Sequence, residues 1–198
     1  MKSASGPTEP EGFKIVRDAI RPDAVAEYLS SIGMLPFSVV RMRGRTLRRR
    51  VASFGVGFGT NFQALTAAPA LPPSLRSLRA CAARVVGLRA QEFNQALVQL
   101  YPPGARIGWH RDAAAFGPSI IGVSFGGSAI LRFRHPRRAA TVSIEIPPAS
   151  IYLFRGRCRS EWEHSIAPVS EQRLSVTFRS FDDASLHSDR TAVNRTTC

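Results

Sequence analysis

Lysine is almost absent from this chain. Of its 198 residues only Lys2 and Lys14 are lysines, so 25 of the 27 cationic side chains are arginine, and with 14 acidic residues the formal net charge is +13. Such a surface attracts polyanions, of which nucleic acid is the usual one, and the planar fork of arginine suits phosphate well. A genome rich in G and C also encodes arginine by default, so composition alone leaves both explanations open.

Cysteine is scarce as well. Cys81, Cys158 and Cys198 form no C-x-x-C pair, and an odd, widely spaced set argues against a disulfide framework and favours a reducing cytosol. The first twelve residues lack the apolar segment of a signal peptide. No run of 18 apolar residues is present that could span a membrane. We therefore expect a cytoplasmic monomer with no membrane partner.

The remaining composition is that of a globular protein. The hydrophobic fraction is 44% and the aromatic fraction 9%, which excludes a disordered or fibrous chain. The length suits one domain with a substantial core. Because both ends are polar, we predict a single domain over residues 12–181 between flexible tails at 1–11 and 182–198.

Helical signals are concentrated in the first half and strand signals in the second. We predict one helix from Pro22, a second over 73–86 and a further helical piece from Ala90 towards Leu97. Short apolar runs punctuated by Gly and Pro predict strands over 96–101, 106–109, 119–125, 129–133, 141–146, 151–154 and 173–180. This pattern indicates a sandwich, barrel or jelly roll. We predict an α+β fold with N-terminal helices packed outside an antiparallel double sheet.

One group of residues is suited to hold a metal. His110 and Asp112 are two residues apart, which places them on one face of a strand, and His164 follows far downstream. Two histidines and one carboxylate form the facial triad of non-haem iron(II) oxygenases. A zinc hydrolase could use the same set, and the histidines could also be ordinary hydrogen-bonded residues, so these three positions alone do not decide.

The segment 173–179 alternates strictly. Three apolar residues face one way: Leu174, Val176 and Phe178. Four polar residues face the other: Arg173, Ser175, Thr177 and Arg179. Two inward-facing arginines need anions as partners, and a dicarboxylate such as 2-oxoglutarate would satisfy both. The alternative is an edge strand with its polar face in water.

These motifs together resemble the AlkB family. Residues 99–112, QLYPPGARIGWHRD, resemble the family's N-x-Y-x-P-G-x-x-(I/L)-x-x-H-x-D, and residues 173–179, RLSVTFR, resemble its R-x-N-x-T-F-R. Residues 162–166, WEHSI, resemble the segment of its second histidine, and residues 116–117 and 121–126 resemble the segment after the first. Order and spacing agree over roughly residues 50–181.

The resemblance implies a double-stranded β-helix (jelly-roll) core and an iron(II)- and 2-oxoglutarate-dependent dioxygenase. By carry-over, His110, Asp112 and His164 hold the iron. Tyr101 and Arg173 bind the distal carboxylate of 2-oxoglutarate, and Arg179 binds the end nearer the iron. Two positions depart from the family, because Gln99 and Ser175 stand where it has asparagine. Both replacements can still form hydrogen bonds with the co-substrate.

The implied activity is oxidative dealkylation of N-alkylated nucleobases, such as 1-methyladenine and 3-methylcytosine, in DNA or RNA. Some family members carry an acid just after the H-x-D motif that helps read the base, whereas residues 113–115 here are all alanine, so the choice of substrate stays open. One alternative is a 2-oxoglutarate oxygenase that acts on a protein side chain or on a tRNA modification. Another is a basic jelly roll that binds nucleic acid without catalysis.

Residues 41–50 contain six arginines and precede Phe54 and Phe58. We predict a flexible lid whose arginines (Arg48, Arg49 and Arg50) bind phosphates and whose phenylalanines stack on a base. In the alternative, the phenylalanines belong to the core and the arginines form a solvated face. Two further basic patches are predicted: Arg132, Arg134, Arg137 and Arg138, and, on one face of a strand, Arg155, Arg157 and Arg159. A single-stranded or flipped base is expected as the partner.

Overall fold

The computed structural model describes residues 9–42, 44–58, 65–137 and 141–181. Thirteen strands are present in this part of the chain: β1 Phe13–Val16, β2 Ser38–Met42, β3 Arg45–Phe54, β4 Val56–Phe58, β5 Leu65–Ala67, β6 Gln95–Tyr101, β7 Ile107–His110, β8 Phe116–Gly126, β9 Ala129–Arg134, β10 Thr141–Ile146, β11 Ser150–Phe154, β12 Glu163–Ile166 and β13 Arg173–Phe181. Three helices accompany them: α1 Pro22–Gly33, α2 Pro73–Val86 and the short α3 Gly156–Ser160.

The strands form two main antiparallel sheets. The seven-stranded sheet has the order β1-β11-β8-β13-β6-β3-β2, and the four-stranded sheet has the order β10-β9-β12-β7. β4 and β5 form a separate two-stranded ribbon. This architecture confirms the predicted α+β jelly roll, and the strands predicted in the second half are all present within a few residues of the expected ends.

β13 lies in the middle of the large sheet. It pairs with β6 on one side and with β8 on the other, so its backbone is hydrogen-bonded on both edges. Leu174, Val176 and Phe178 enter the core beneath the helices, and the polar residues face the small sheet, where they line a cavity. The alternative of an exposed edge strand is therefore wrong.

Two hydrophobic layers enclose the large sheet. One lies between the sheet and helices α1 and α2, and the other lies between the two sheets. Helix α2 buries Leu75 and Leu78 completely, begins with Pro73 and ends at Gly87, whose φ of 76° is a left-handed conformation that favours glycine. The sequence predicted both of its ends.

The first half contains more strand than the sequence predicted. The segment expected to be a flexible lid, 41–50, forms most of the hairpin of β2 and β3, and β3 pairs with β6 inside the large sheet. The helical piece expected from Ala90 is a single 3-10 turn, Ala90–Glu92. Burial of Ala52 and Phe54 against the helices explains why β3 is a sheet strand.

The predicted tails fall mostly outside the described residues, which begin at Glu9 and end at Phe181. The last part of the N-terminal segment is tied to the fold, because Pro10 is buried and the Glu11 carbonyl accepts a hydrogen bond of 2.8 Å from the Cys158 amide. No helix in the described part of the chain is long and apolar enough to cross a membrane.

Candidate metal centre and co-substrate pocket

His110, Asp112 and His164 converge on one point. One ligand atom from each lies within 4.8 Å of the others. The two histidines come from neighbouring strands, β7 and β12, and are paired in register, which brings their ring centroids to 4.3 Å. Two imidazoles and one carboxylate at this spacing can coordinate a single metal ion and leave positions open.

Asp112 is positioned by contacts that the sequence did not show. β7 ends at His110, so Asp112 lies in the turn beyond it, and the i, i+2 rule for strands does not place it. Instead Arg179 Nη2 donates to Asp112 Oδ1 at 2.7 Å. Arg159 donates to the backbone carbonyls of Asp112, Ala113 and Phe116 at 3.0, 2.6 and 3.2 Å. The turn is thus fixed by two guanidinium groups.

The electrostatics keep these groups in their metal-binding forms. Burial alone would raise the pKa of Asp112, but the positive charge of Arg179, with smaller effects from His164 and His110, lowers the pKa to about 2. Burial, together with His110, lowers the pKa of His164 to about 3 against the opposing charge of Asp112. At neutral pH Asp112 is therefore a carboxylate and His164 a neutral imidazole, as coordination requires.

A narrow inner cavity adjoins the metal point between the two sheets, with a volume of about 40 Å³. Its lining includes all three of these residues and every residue predicted to bind 2-oxoglutarate: Gln99, Tyr101, Arg173, Ser175 and Arg179. A dicarboxylate enters such a space only if side chains around it shift. The structure therefore brings the two predicted sets of residues together in one place.

Arg173 is the most unusual side chain of this cavity. It is 1% exposed, its Nε donates to Ser124 Oγ at 2.9 Å, and its guanidinium carbon lies 5.1 Å from the centroid of the Tyr101 ring. Its Nη1 and Nη2 are buried and have no hydrogen-bond partner among the described residues. A buried cation with two unused donors is costly unless an anion joins it, and a carboxylate has the matching bidentate geometry.

The other predicted co-substrate residues are also buried. Gln99 and Ser175 lie opposite each other in the pairing of β6 and β13, at 6% and 1% exposure, so the two departures from the family motif stand side by side. Arg179 is engaged with both Asp112 and, at 3.4 Å, Gln95 Oε1. It therefore links the inner cavity to the metal point.

The residues predicted to bind nucleic acid are separated by the structure. Arg48 and Arg50 are exposed, and Arg48 Nη1 donates to the Pro103 carbonyl at 3.2 Å. Arg49 is half-buried, and burial lowers its pKa although Tyr101 opposes the shift. Because side chains alternate along a strand, Arg49 lies on the opposite face of β3 from the other two.

Phe54 does not reach this surface. Its side chain is 6% exposed and packs in the core between the large sheet and the helices, so the structure corrects the stacking role expected for it. Phe58 ends strand β4, and its side chain lies outside the described part of the structure.

The predicted patch of Arg155, Arg157 and Arg159 also differs from expectation. Arg157 and Arg159 lie on helix α3, not on a strand, and their side chains contact different residues. Arg157 pairs with Glu161, while Arg159 holds the Asp112 turn. The patch predicted from Arg132, Arg134, Arg137 and Arg138 stays a prediction, and its last member, Arg138, lies outside the described residues.

Three residues at or beside the site were not predicted from the sequence. Ser124 orients Arg173, Arg159 holds the metal-ligand turn, and Trp109 lies under the guanidinium groups of Arg132 and Arg134 at 5.1 and 4.7 Å. Each acts through strand register or a long-range contact, which a single sequence does not display. The strand predicted over 119–125 was the one available signal, since it contains Ser124.

The family model described as the 2OG-Fe(II) oxygenase superfamily matches residues 38–179. The chain belongs to this superfamily. The prediction of an AlkB-like member of the 2OG-Fe(II) oxygenases is confirmed.

Similar curated proteins include the tRNA (carboxymethyluridine(34)-5-O)-methyltransferase alkbh8 of Xenopus tropicalis, 28% identical over 183 residues, which are 89% of this chain and 28% of that protein. The Mus musculus ALKBH8 is 27% identical over 166 residues, 80% of this chain and 24% of that protein. The uncharacterized protein L905 of Acanthamoeba polyphaga mimivirus is 31% identical over 102 residues, 45% of this chain and 49% of that protein. The chain thus spans about a quarter of the two methyltransferases and about half of L905.

A solved structure of OsALKBH1 superimposes with a TM-score of 0.70 over 88% of this chain and 98% of that one, at 15% sequence identity. At this level of identity the likeness shows the shared fold alone.

Proposed function

We propose that His110, Asp112 and His164 hold iron(II), and that Arg173, Tyr101 and Arg179 hold 2-oxoglutarate beside it. The observation that carries this assignment is the pair of buried Nη atoms on Arg173 that have no partner among the described residues. Arg173 lines the same cavity as the three metal ligands. Tyr101 is 1% exposed, and burial raises its pKa, so it stays a neutral hydroxyl able to donate to a carboxylate.

When bound, iron(II) and 2-oxoglutarate supply the oxidising chemistry for an unreactive alkyl group, with dioxygen as the oxidant. The chain's own residues bind the metal and the co-substrate and orient them. Arg173 fixes the distal end of the co-substrate, and Arg179 holds both the near end and Asp112. The ring centroids of Phe133 and Phe154 lie 6.4 and 5.0 Å from the centroid of the His164 ring. These rings exclude water from that side of the site.

For the substrate we propose an alkylated nucleobase in a nucleic acid. Exposed arginines around the fold, including Arg48, Arg50, Arg134 and Arg137, can neutralise phosphates. Because the metal ligands are partly buried, the base must leave its stack to reach them. One candidate reaction is oxidative removal of N-alkyl groups such as those of 1-methyladenine and 3-methylcytosine, in DNA or RNA, with release of the carbon as an aldehyde.

A second candidate is hydroxylation of a modified tRNA base. The observation in its favour is that the Xenopus and mouse relatives are named for tRNA and a carboxymethyluridine. Both candidates share the same metal and co-substrate residues and differ in the base and in the product formed from it.

The experiment is a product assay with single-stranded oligonucleotides and a tRNA pool, with iron(II), 2-oxoglutarate and air. Succinate release that rises with an alkylated nucleic acid, together with a matching mass change of the base, supports the proposal. A peptide library serves as the comparison. Turnover that is stimulated by peptides and not by nucleic acid would overturn it.

A further inference from the structure

Arg49 lies at the distal end of the proposed co-substrate pocket, on a strand that carries none of the residues assigned to that pocket so far. β3 pairs with β6 so that Arg50 lies opposite Leu100, and one step further along the same antiparallel register Arg49 lies opposite Tyr101. Tyr101 is in turn paired with Arg173 of β13. The three side chains therefore form a row across neighbouring strands, with the tyrosine between the two arginines.

This row faces the space between the two sheets. Residues paired in register on neighbouring strands project from the same face of a sheet, and Tyr101 and Arg173 both line the inner cavity. The electrostatics agree, because burial raises the pKa of Tyr101 while the charges of Arg173 and Arg49 both oppose the shift. Arg49 thus differs from Arg48 and Arg50, which project from the opposite face of β3.

Neither arginine of the row forms an ion pair within the part of the chain that the structure describes. Arg49 is half-buried, and its Nε has no hydrogen-bond partner there, as is true of Nη1 and Nη2 of Arg173. Burial lowers the pKa of Arg49, because a cation loses solvation away from water. Two cations beside one tyrosine repel each other, and an anion between them stabilises both.

A single carboxylate satisfies this arrangement. Its two oxygens offer about four acceptor positions, enough for the two free Nη atoms of Arg173, the hydroxyl of Tyr101 and one donor of Arg49. We infer that Arg49 is a second cation for the distal carboxylate of 2-oxoglutarate, and that it sets how strongly the pocket prefers a dicarboxylate to a 2-oxo acid without a distal charge. This inference rests on the proposed function and deepens it.

The role of Arg49 is one of charge and position. Arg49 is not among the residues that line the narrow cavity, so its charge acts at short range, and direct contact follows the same widening that the co-substrate itself requires. The inference also takes Arg49 out of the phosphate-binding set predicted from the sequence, in which it stood with Arg48 and Arg50.

The test compares 2-oxoglutarate with 2-oxopentanoate, which has a methyl group in place of the distal carboxylate and keeps the same keto-acid end. Affinity for each acid is measured by anaerobic calorimetry with manganese(II) in place of iron. For Arg49→Gln we expect at least about a tenfold loss of affinity for 2-oxoglutarate, as for the loss of a charged hydrogen bond, and little change for 2-oxopentanoate. The affinity for manganese(II) should stay that of the wild type.

Three further variants separate charge from packing. Arg50→Gln removes the same group from the opposite face of β3 and is the matched control, for which we expect the wild-type preference between the two acids. Arg49→Lys keeps the positive charge and should retain most of the affinity for 2-oxoglutarate. Arg49→Met keeps the aliphatic packing and replaces Arg49→Gln if circular dichroism shows that the glutamine variant is unfolded.

The preference of the wild-type chain for 2-oxoglutarate separates this inference from the function on which it rests. If the wild-type chain shows that preference, equal losses for the two acids in Arg49→Gln would reveal a merely structural role and overturn the inference, as would an unchanged affinity for 2-oxoglutarate. A loss in Arg49→Lys as large as in Arg49→Gln would overturn the role of charge. Equal binding of the two acids by the wild-type chain would contradict the proposed co-substrate pocket, and the inference would be overturned with it.

Discussion

Arg179 and Asp112 form a buried ion pair that joins the co-substrate pocket to the metal point. Arg179 Nη2 lies 2.7 Å from Asp112 Oδ1, and the two side chains are 7% and 8% exposed. The other carboxylate oxygen, Oδ2, lies 3.5 Å from His164 Nε2. One oxygen is thus held by the arginine while the other lies near His164, so changes at Arg179 should affect the binding of both the proposed metal and the proposed co-substrate.

Arg179→Lys and Arg173→Lys should therefore have different effects on the binding of metal and of 2-oxoglutarate. Lysine keeps the charge but loses the planar fork. At Arg179 we expect weaker binding of both metal and 2-oxoglutarate, whereas at Arg173 we expect at least about a tenfold loss for 2-oxoglutarate, as for a broken charged hydrogen bond, with metal affinity retained. Calorimetry with manganese(II), then with 2-oxoglutarate, measures both. Arg132→Lys, on the outer face of the small sheet, is the control, and identical behaviour of the two buried variants would contradict the division of roles.

Phe54→Ala should destabilise the fold, because the ring is buried in the core cluster that the large sheet and the helices share. Removal of a buried phenylalanine typically costs about 3–5 kcal/mol. Urea denaturation measures the free energy of unfolding, and Phe54→Leu, which keeps most of the apolar volume, should cost clearly less. A fully stable Phe54→Ala variant that binds nucleic acid more weakly would restore the stacking role that the sequence suggested.

The sequence predicted much of the site but not how it is assembled. Strand β13 was readable because its polar and apolar residues alternate without exception, and helix α2 because proline and glycine mark its ends. In β3, by contrast, six arginines around the strand masked the apolar pattern, and only pairing with β6 reveals it. Likewise Arg159 holds Asp112 across 47 positions of sequence, a contact that no local pattern encodes.

Arg48 and Arg50 should contribute affinity for nucleic acid without base specificity. Both are exposed on one face of β3. Each phosphate of a single strand that is neutralised adds roughly 0.7 to the slope of log affinity against log salt. Replacing both residues with glutamine should therefore flatten that slope by up to about 1.4. Arg21 and Arg89, exposed arginines that pair with local acids, are the matched controls, and an unchanged slope in the Arg48/Arg50 variant would move the binding surface elsewhere.

Cys158 should be inert towards alkylation in the folded protein. It is 2% exposed, and burial raises its pKa from 9.0 to about 12. Since thiolate is the reactive form, a three-unit rise lowers its fraction at pH 8 about a thousandfold, and the rate should climb with pH up to 12. Mass spectrometry after iodoacetamide treatment should show Cys81, which is partly exposed, modified well before Cys158. Equal labelling in urea is the control, and equal rates without urea would show that helix α3 opens readily.

The central claim is that His110, Asp112 and His164 bind one iron(II) on which 2-oxoglutarate then depends. Its most direct test is an anaerobic calorimetric titration with iron(II) and then 2-oxoglutarate, on the wild-type chain, on Asp112→Ala and on Asp23→Ala, an exposed control in helix α1. We predict one iron and one 2-oxoglutarate per chain for the wild type and for Asp23→Ala. We predict a loss of iron binding in a folded Asp112→Ala variant. Wild-type iron affinity in that variant would contradict the account.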